Sequence, residues 1–254
     1  MNRTVLITGA SSGIGQACAW VLAKEGYRLA LCARRTERLE ALKQAILTDL
    51  PETEILTFTL DVRDANAVQQ ATDTLPADWQ NIDVLINNAG LSQGLDPIQQ
   101  GKLSDWDTMI DTNIKGLLYV SRAVIPLMKN STNAHIINIG SIAGKEVYPN
   151  GNVYCATKHA VDALNKAMRI DLLEKGIRVS AIHPGMVETE FSEVRFHGDT
   201  DRAKAVYQGV EALSGQDIAE VIAFVLSRRA HININDLLIM PTAQATGTIV
   251  NRNK

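Results

Sequence analysis

The sequence predicts a doubly wound α/β fold, one open parallel sheet of about seven strands with helices on both faces. Short β-rich runs alternate with helix-period segments along nearly the whole chain, the pattern of strand–helix–strand units with right-handed crossovers. The strand-like runs are apolar throughout rather than alternating, as in strands covered on both faces. At 254 residues the chain suits one large domain and is short for two complete ones. No repeat, low-complexity segment or linker divides it, so residues 1–254 read as a single domain.

In chain order, "RTVLIT" reads as a buried strand and "IGQACAWVLAKEG" as a helix ended by Gly26. "RLALCA" is the next strand, followed by the helix "TERLEALKQAIL", for which Thr36 is the expected N-cap. "EILTFTLDV", "IDVLINNAG", "AHIINIG" and "IRVSAIHPG" are further strands, separated by helices over 64–74, 104–129 and 152–175. A helix near 216–227 precedes the last strand, "DLLIMP". The segment 186–210 breaks this regularity. It is polar and charged, follows a strand's carboxyl end, and reads as a substrate lid.

The composition narrows the function classes. A formal charge of −3 gives no electrostatic reason for nucleic acid or an anionic membrane as partner. No segment reaches eighteen uninterrupted apolar residues, and the apolar run at the start is too short for a signal-peptide core. Three widely spaced cysteines, Cys18, Cys32 and Cys155, form no CxxC pair and read as reduced thiols in a cytoplasmic protein. The five histidines have no paired-ligand spacing, so no metal site is expected.

"TGASSGIG", Thr8 to Gly15, closes the first strand and opens the first helix. In a doubly wound (Rossmann-type) sheet such a turn lies at the carboxyl edge, where helix N-terminal amides face a ligand phosphate. Gly9, Gly13 and Gly15 let the backbone bend tightly, approach a pyrophosphate and pack helix against strand. Thr8, Ser11, Ser12 and Ile14 complete the dinucleotide-binding candidate. About twenty residues on, a site for NAD calls for an acid to accept from the ribose 2′-hydroxyl. This chain offers "CARRTER" instead, with Arg34 and Arg35 and no acid before Glu37. Two guanidiniums suit a dianionic 2′-phosphate, so the expected cofactor is NADP.

Tyr154 and Lys158 stand four residues apart, on one face of a helix. Ser141 precedes them by thirteen residues, just after a strand. With the glycine turn, Asp61-Val62, "NNAG" (87–90), Asn113 and "PGMVET" (184–189), these residues make the chain resemble the single-domain short-chain dehydrogenase/reductase family along essentially its whole length.

The resemblance implies a role for each position. Asp61 and Val62 border the adenine, while Asn88, Ala89 and Gly90 line the ribose side and steady the sheet. Pro184, Gly185, Val187 and Thr189 hold the nicotinamide carboxamide. Tyr154 is the acid/base, Lys158 its partner, Ser141 the hydroxyl that orients the carbonyl, and Asn113 the link to a proton-relaying water. Tyrosine titrates near ~10 in water, and a lysine charge ~4 Å away favours the phenolate by about 4 kcal/mol at an effective dielectric near 20. Lys158 is therefore expected to acidify Tyr154. Cys155 and His183 are read as packing and structural residues. The family likeness also implies a homotetramer.

"EFSEVRFHGD" and "AHININDLLIMPT" resemble the branch that acts on 3-hydroxy acids and short aldehyde acids, including malonic semialdehyde and sulfoacetaldehyde reductases. Arg195 on the lid and Tyr148 past Ser141 are substrate candidates, a clamp for a carboxylate or sulfonate. Residues 242–254 form no obvious element. They read either as a frayed terminus or as an arm reaching a neighbouring subunit, with Gln244 and Arg252 as polar contacts. The leading expectation is an NADPH-dependent reductase of small anionic aldehydes, reversible as a 3-hydroxy-acid dehydrogenase. A serine or allo-threonine dehydrogenase, a ketoreductase of steroids, sugars or acyl carriers, and a non-catalytic NADP(H) sensor stay open.

Overall fold

The structure is a computed structural model describing residues 3–252, so the outermost two positions at each end of the expected 1–254 domain lie outside the described residues. Seven parallel strands form one sheet in the order β3-β2-β1-β4-β5-β6-β7. They are β1 (Thr4–Thr8), β2 (Arg28–Ala33), β3 (Ile55–Thr59), β4 (Val84–Asn87), β5 (His135–Ile139), β6 (Arg178–Pro184) and β7 (Asp236–Ile239). The order reverses between β1 and β4, which opens a crevice at the carboxyl edge beside the glycine turn.

The central strands are buried on both faces and their residues alternate between two cores. Val5 and Ile7 of β1 pack under α1 (Gly13–Lys24), α2 (Thr36–Asp49) and α9 (Gly215–Leu226). Leu6 points to the other side, under α3 (Ala65–Asp73), α5 (Leu117–Val124) and α6 (Asn152–Asp171). The edge strands β3 and β7 are only partly buried, as edges facing water should be. All three cysteines are free and buried, with Cys18 in the first core and Cys32 in the second. None of the described helices is long and apolar enough to cross a membrane.

Three local expectations need correction. Thr36 is already helical: Arg35 takes the N-cap position without a side-chain cap, and the Thr36 hydroxyl pairs with Thr59 of β3. The helix expected over 104–129 is α4 (Leu103–Ile110), a π-helical turn (Asp111–Gly116), α5, and a 3-10 turn (Ile125–Met128) containing Pro126. Periodicity does not reveal the break, because a π turn inserts one residue without interrupting the apolar face. The segment 186–210 carries two short helices, α7 (Phe191–Arg195) and α8 (Thr200–Ala205).

His135 on β5 is fully buried, with Nε2 2.7 Å from Ser180 Oγ and Nδ1 unpartnered. Burial, and then the charges of Arg178 and Arg3, pull its pKa down from 6.5 to about 2. The folded protein thus keeps this ring neutral where the unfolded chain would protonate it. Stability should fall as pH drops below about 6.5, by up to about 1.4 kcal/mol per unit from this residue. Urea unfolding at pH 7 and pH 5 should show a loss of about 2 kcal/mol attributable to His135. His135→Gln should flatten that slope, and an unchanged slope would refute the assignment.

Candidate active site

A cleft of about 530 Å³ runs along the carboxyl edge of the sheet from the end of β2 to the lid and the C-terminal tail. The glycine turn forms its floor. Gly9 and Gly13 adopt left-handed φ of 66° and 56°. A Cβ on Gly15 would come within 2.5 Å of Gly9 O and Asn88 Nδ2, so neither the turn nor its neighbour leaves room for a side chain. Asn88 Nδ2 donates to Thr8 O at 2.8 Å and Gly9 O at 3.1 Å, while Thr8 Oγ1 accepts from Asn88 N and Ala89 N. The ends of β1 and β4 are thereby welded together. Ser12 stands at the N-cap of α1 without capping it, and no acid occupies the first turn. An uncapped, acid-free N-terminus on a glycine turn is suited to an anion.

Around this floor the other cofactor candidates also line the cleft: Ile14, Arg34, Asp61, Val62, Ala89, Gly90, Pro184, Gly185, Val187 and Thr189. The Asp61 carboxylate is gripped by Arg63, whose hydrogen bonds hold its pKa below the usual range. Thr189 faces Gly13 across the cleft, 3.3 Å from where a Cβ there would lie. Arg35 bonds Ser11, Ser12 and Glu190, and Arg38 joins the same carboxylate. Arg34 makes no ion pair among the described residues. Sequence reasoning missed Arg38, though its place three residues after Arg35 on one helix was the available signal.

At the other end of the cleft α6 brings Tyr154 and Lys158 together, both buried. Lys158 Nζ donates to Ile139 O at 2.9 Å and lies 6.0 Å from the Tyr154 ring centroid. Burial alone lowers its pKa to about 8. Burial pushes the Tyr154 pKa up, and what pulls it back is the Arg195 guanidinium, then the Ser141 hydroxyl. Lys158 is held by the main chain of β5, and both cations lie near the ring, Arg195 Cζ 5.3 Å and Lys158 Nζ 6.0 Å from its centroid. Ser141 Oγ accepts from Ala143 N at 3.1 Å, which leaves its proton free to be donated.

Asn113 lies in the π turn, buried, with Oδ1 accepting from Leu91 N and Nδ2 donating to Leu91 O and Thr157 Oγ1. Its amide is committed to the protein, and the residue fixes the loop after β4 against α6. Cys155 is buried beside Tyr154 and Leu91. His183 is fully buried, with Nε2 3.0 Å from Asp236 Oδ1. His183, Asp162 and Asp236 are close enough to suggest a metal site. Lys145 Nζ, 2.7 Å from Asp162 and 3.2 Å from Asp236, already supplies the cation there.

All the substrate candidates line the cleft. Arg195 stacks on Phe191 and Tyr154, its Cζ 5.0 and 5.3 Å from the two ring centroids. Its Nη2 lies 3.3 Å from the Tyr148 hydroxyl, and its Nε is buried without a partner. Gln244 and Arg252 line the cleft as well, each with protein partners. Gln244 Oε1 accepts from Met186 N at 2.8 Å and its Nε2 donates to Thr246 O, so it props the turn after β6. Arg252 donates to Gln208 O and Val206 O of the lid. The described part of the 242–254 tail returns over the cleft, with Thr248 and Val250 on its wall. The backbone carbonyls that hold it carry no signature in sequence.

Comparisons with known proteins identify the family. The short chain dehydrogenase family model matches residues 3–199. An NADP-dependent 3-hydroxy acid dehydrogenase of Salmonella typhi is 46% identical over 242 residues, covering 95% of this chain and 96% of that protein. Sulfoacetaldehyde reductase 2 of Chromohalobacter salexigens is 44% identical, covering 96% of each. The solved closed form of a serine dehydrogenase complexed with NADP+ superposes with a TM-score of 0.92 at 42% identity, over 99% of this chain and 100% of that one. With a family model over most of its length and full-length relatives at this identity, the chain belongs to the short-chain dehydrogenase family, the oxidoreductases of hydroxyl and carbonyl groups.

Proposed function

We propose that the protein is an NADPH-dependent reductase of short anionic aldehydes of the sulfoacetaldehyde or malonic semialdehyde type, reversible as a 3-hydroxy-acid dehydrogenase. One observation carries the substrate class. Arg195 sits over two aromatic rings at the reactive end of the cleft, bonds the Tyr148 hydroxyl, and keeps a buried N–H free. A guanidinium so placed is ready to bond a carboxylate or sulfonate bidentately. The relatives' names point the same way.

The residues present fit NADP: a tight glycine turn with an uncapped helix end, a cleft long enough to reach from β2 to α6, and guanidiniums at the β2 end. When bound, the cofactor supplies the hydride that reduces the carbonyl carbon. Ser141 and Tyr154 donate hydrogen bonds to the carbonyl oxygen, and Tyr154 transfers its proton to the alkoxide as it forms. Burial favours the protonated phenol, the form reduction needs, and Arg195 keeps the phenolate within reach for the reverse reaction. Lys158 braces β5 against α6 beside the cofactor.

Assaying sulfoacetaldehyde, malonic semialdehyde, serine and 3-hydroxypropionate with both cofactors tests the reading. Turnover of an anionic aldehyde with NADPH is expected to exceed that of a neutral aldehyde of the same length, and a preference for the neutral one would overturn it. Arg34→Asp should lower the NADPH/NADH ratio of kcat/KM about 100-fold, since it replaces an attraction for the phosphate by a repulsion. An unchanged ratio would remove Arg34 from the site.

A further inference from the structure

Arg35, one of the two arginines at the end of β2, has almost no donor capacity to spare. Its Nε and Nη2 lie 3.3 and 3.2 Å from Ser11 Oγ, and Nη2 is 2.8 Å from Ser12 Oγ. Nη1 donates to Glu190 Oε2 at 2.9 Å. A guanidinium has five N–H groups, so a single one is left. An anion that binds Arg35 through two N–H groups must displace a partner. The serines are neutral, whereas Glu190 carries a full charge that a phosphate dianion both replaces and repels.

Glu190 also takes Arg38 with its other oxygen, and the two guanidiniums hold its carboxyl below the usual range. All three side chains are about two-fifths exposed, open to exchange of partners. Glu190 is the N-cap of α7, whose last residue is Arg195. One five-residue helix thus presents a carboxylate to the cofactor arginines and a guanidinium to the catalytic ring.

We propose that Glu190 is an internal competitor for the cofactor's 2′-phosphate, holding Arg35 and Arg38 until the phosphate takes them and releases that end of the lid helix. The proposal rests on the NADP reading above. Glu190 then lowers affinity for NADPH while leaving NADH untouched, and sets how far the lid is free when the cofactor arrives.

Titrating the full-length protein with NADPH and with NADH, without aldehyde, tests this by nicotinamide fluorescence. Glu190→Gln should tighten NADPH binding about fivefold and change NADH binding less than twofold, the size expected of partly exposed ion pairs. The gain should shrink at 0.5 M salt, where such pairs are screened to within about 4 Å. Glu190→Ala, tested alongside with its melting temperature, should move affinity the same way if the charge is what matters. Weaker NADPH binding in both variants would make Glu190 a brace for the arginines and overturn the proposal. Equal shifts for both cofactors, or none, would overturn it as well. If the unmodified protein bound NADH as tightly as NADPH, the NADP reading itself would fail, a result separable from any behaviour of the variants.

Discussion

Tyr154→Phe is expected to abolish turnover while leaving NADPH binding within a few-fold of the parent protein. The substitution removes one oxygen from a ring that stays packed against Phe191, 5.6 Å away, and under the Arg195 guanidinium. Nothing of the glycine turn or the β2 arginines is disturbed. What disappears is the phenol that interacts with the Ser141 hydroxyl, and with it the proton donor for the alkoxide. A positioned acid contributes typically 10²–10⁴-fold, so kcat should drop by about three orders of magnitude. Steady-state kinetics together with a fluorescence titration of NADPH separate the two effects. Retention of a tenth of the parent kcat would end the assignment of Tyr154 as the acid.

Arg195→Ala should act on two quantities at once. The first is recognition: KM for an anionic aldehyde should rise about 30-fold, since a buried charge-assisted pair is worth roughly 2 kcal/mol, and KM for a neutral aldehyde should change little. The second is acidity. Arg195 is the foremost influence holding the Tyr154 pKa down against burial. Without it the phenol keeps its proton to higher pH. In the reduction direction the alkaline limb of the pH–rate profile should therefore move to higher pH. In the oxidation direction, which needs the phenolate, the rise should move the same way. Equal KM effects on charged and neutral aldehydes would refute the anion clamp. An unmoved profile would separate Arg195 from the proton transfer.

The sheet was legible because its signals are local. Each strand is a short apolar run, and the glycine turn carries its own spacing. Tyr154 and Lys158 were legible as a pair because four residues on a helix share a face. The main-chain oxygen of Ile139 that holds Lys158 is invisible in sequence. The Arg35–Glu190 contact joins residues 155 positions apart, and no periodicity links them. The lid's helices were hidden because five- and six-residue segments rich in charge resemble a loop.

Two of the three buried thiols lie on opposite sides of the sheet and give the protein a built-in record of its own opening. Burial pushes both Cys18 and Cys32 up to about 12, so neither is a nucleophile while its layer is closed. Cys18, on the buried face of α1, lies in the core on one side of the sheet, and Cys32 lies under the helices of the other side. The order in which an alkylating reagent modifies them at rising urea identifies which helical layer detaches first, with no label added to the chain.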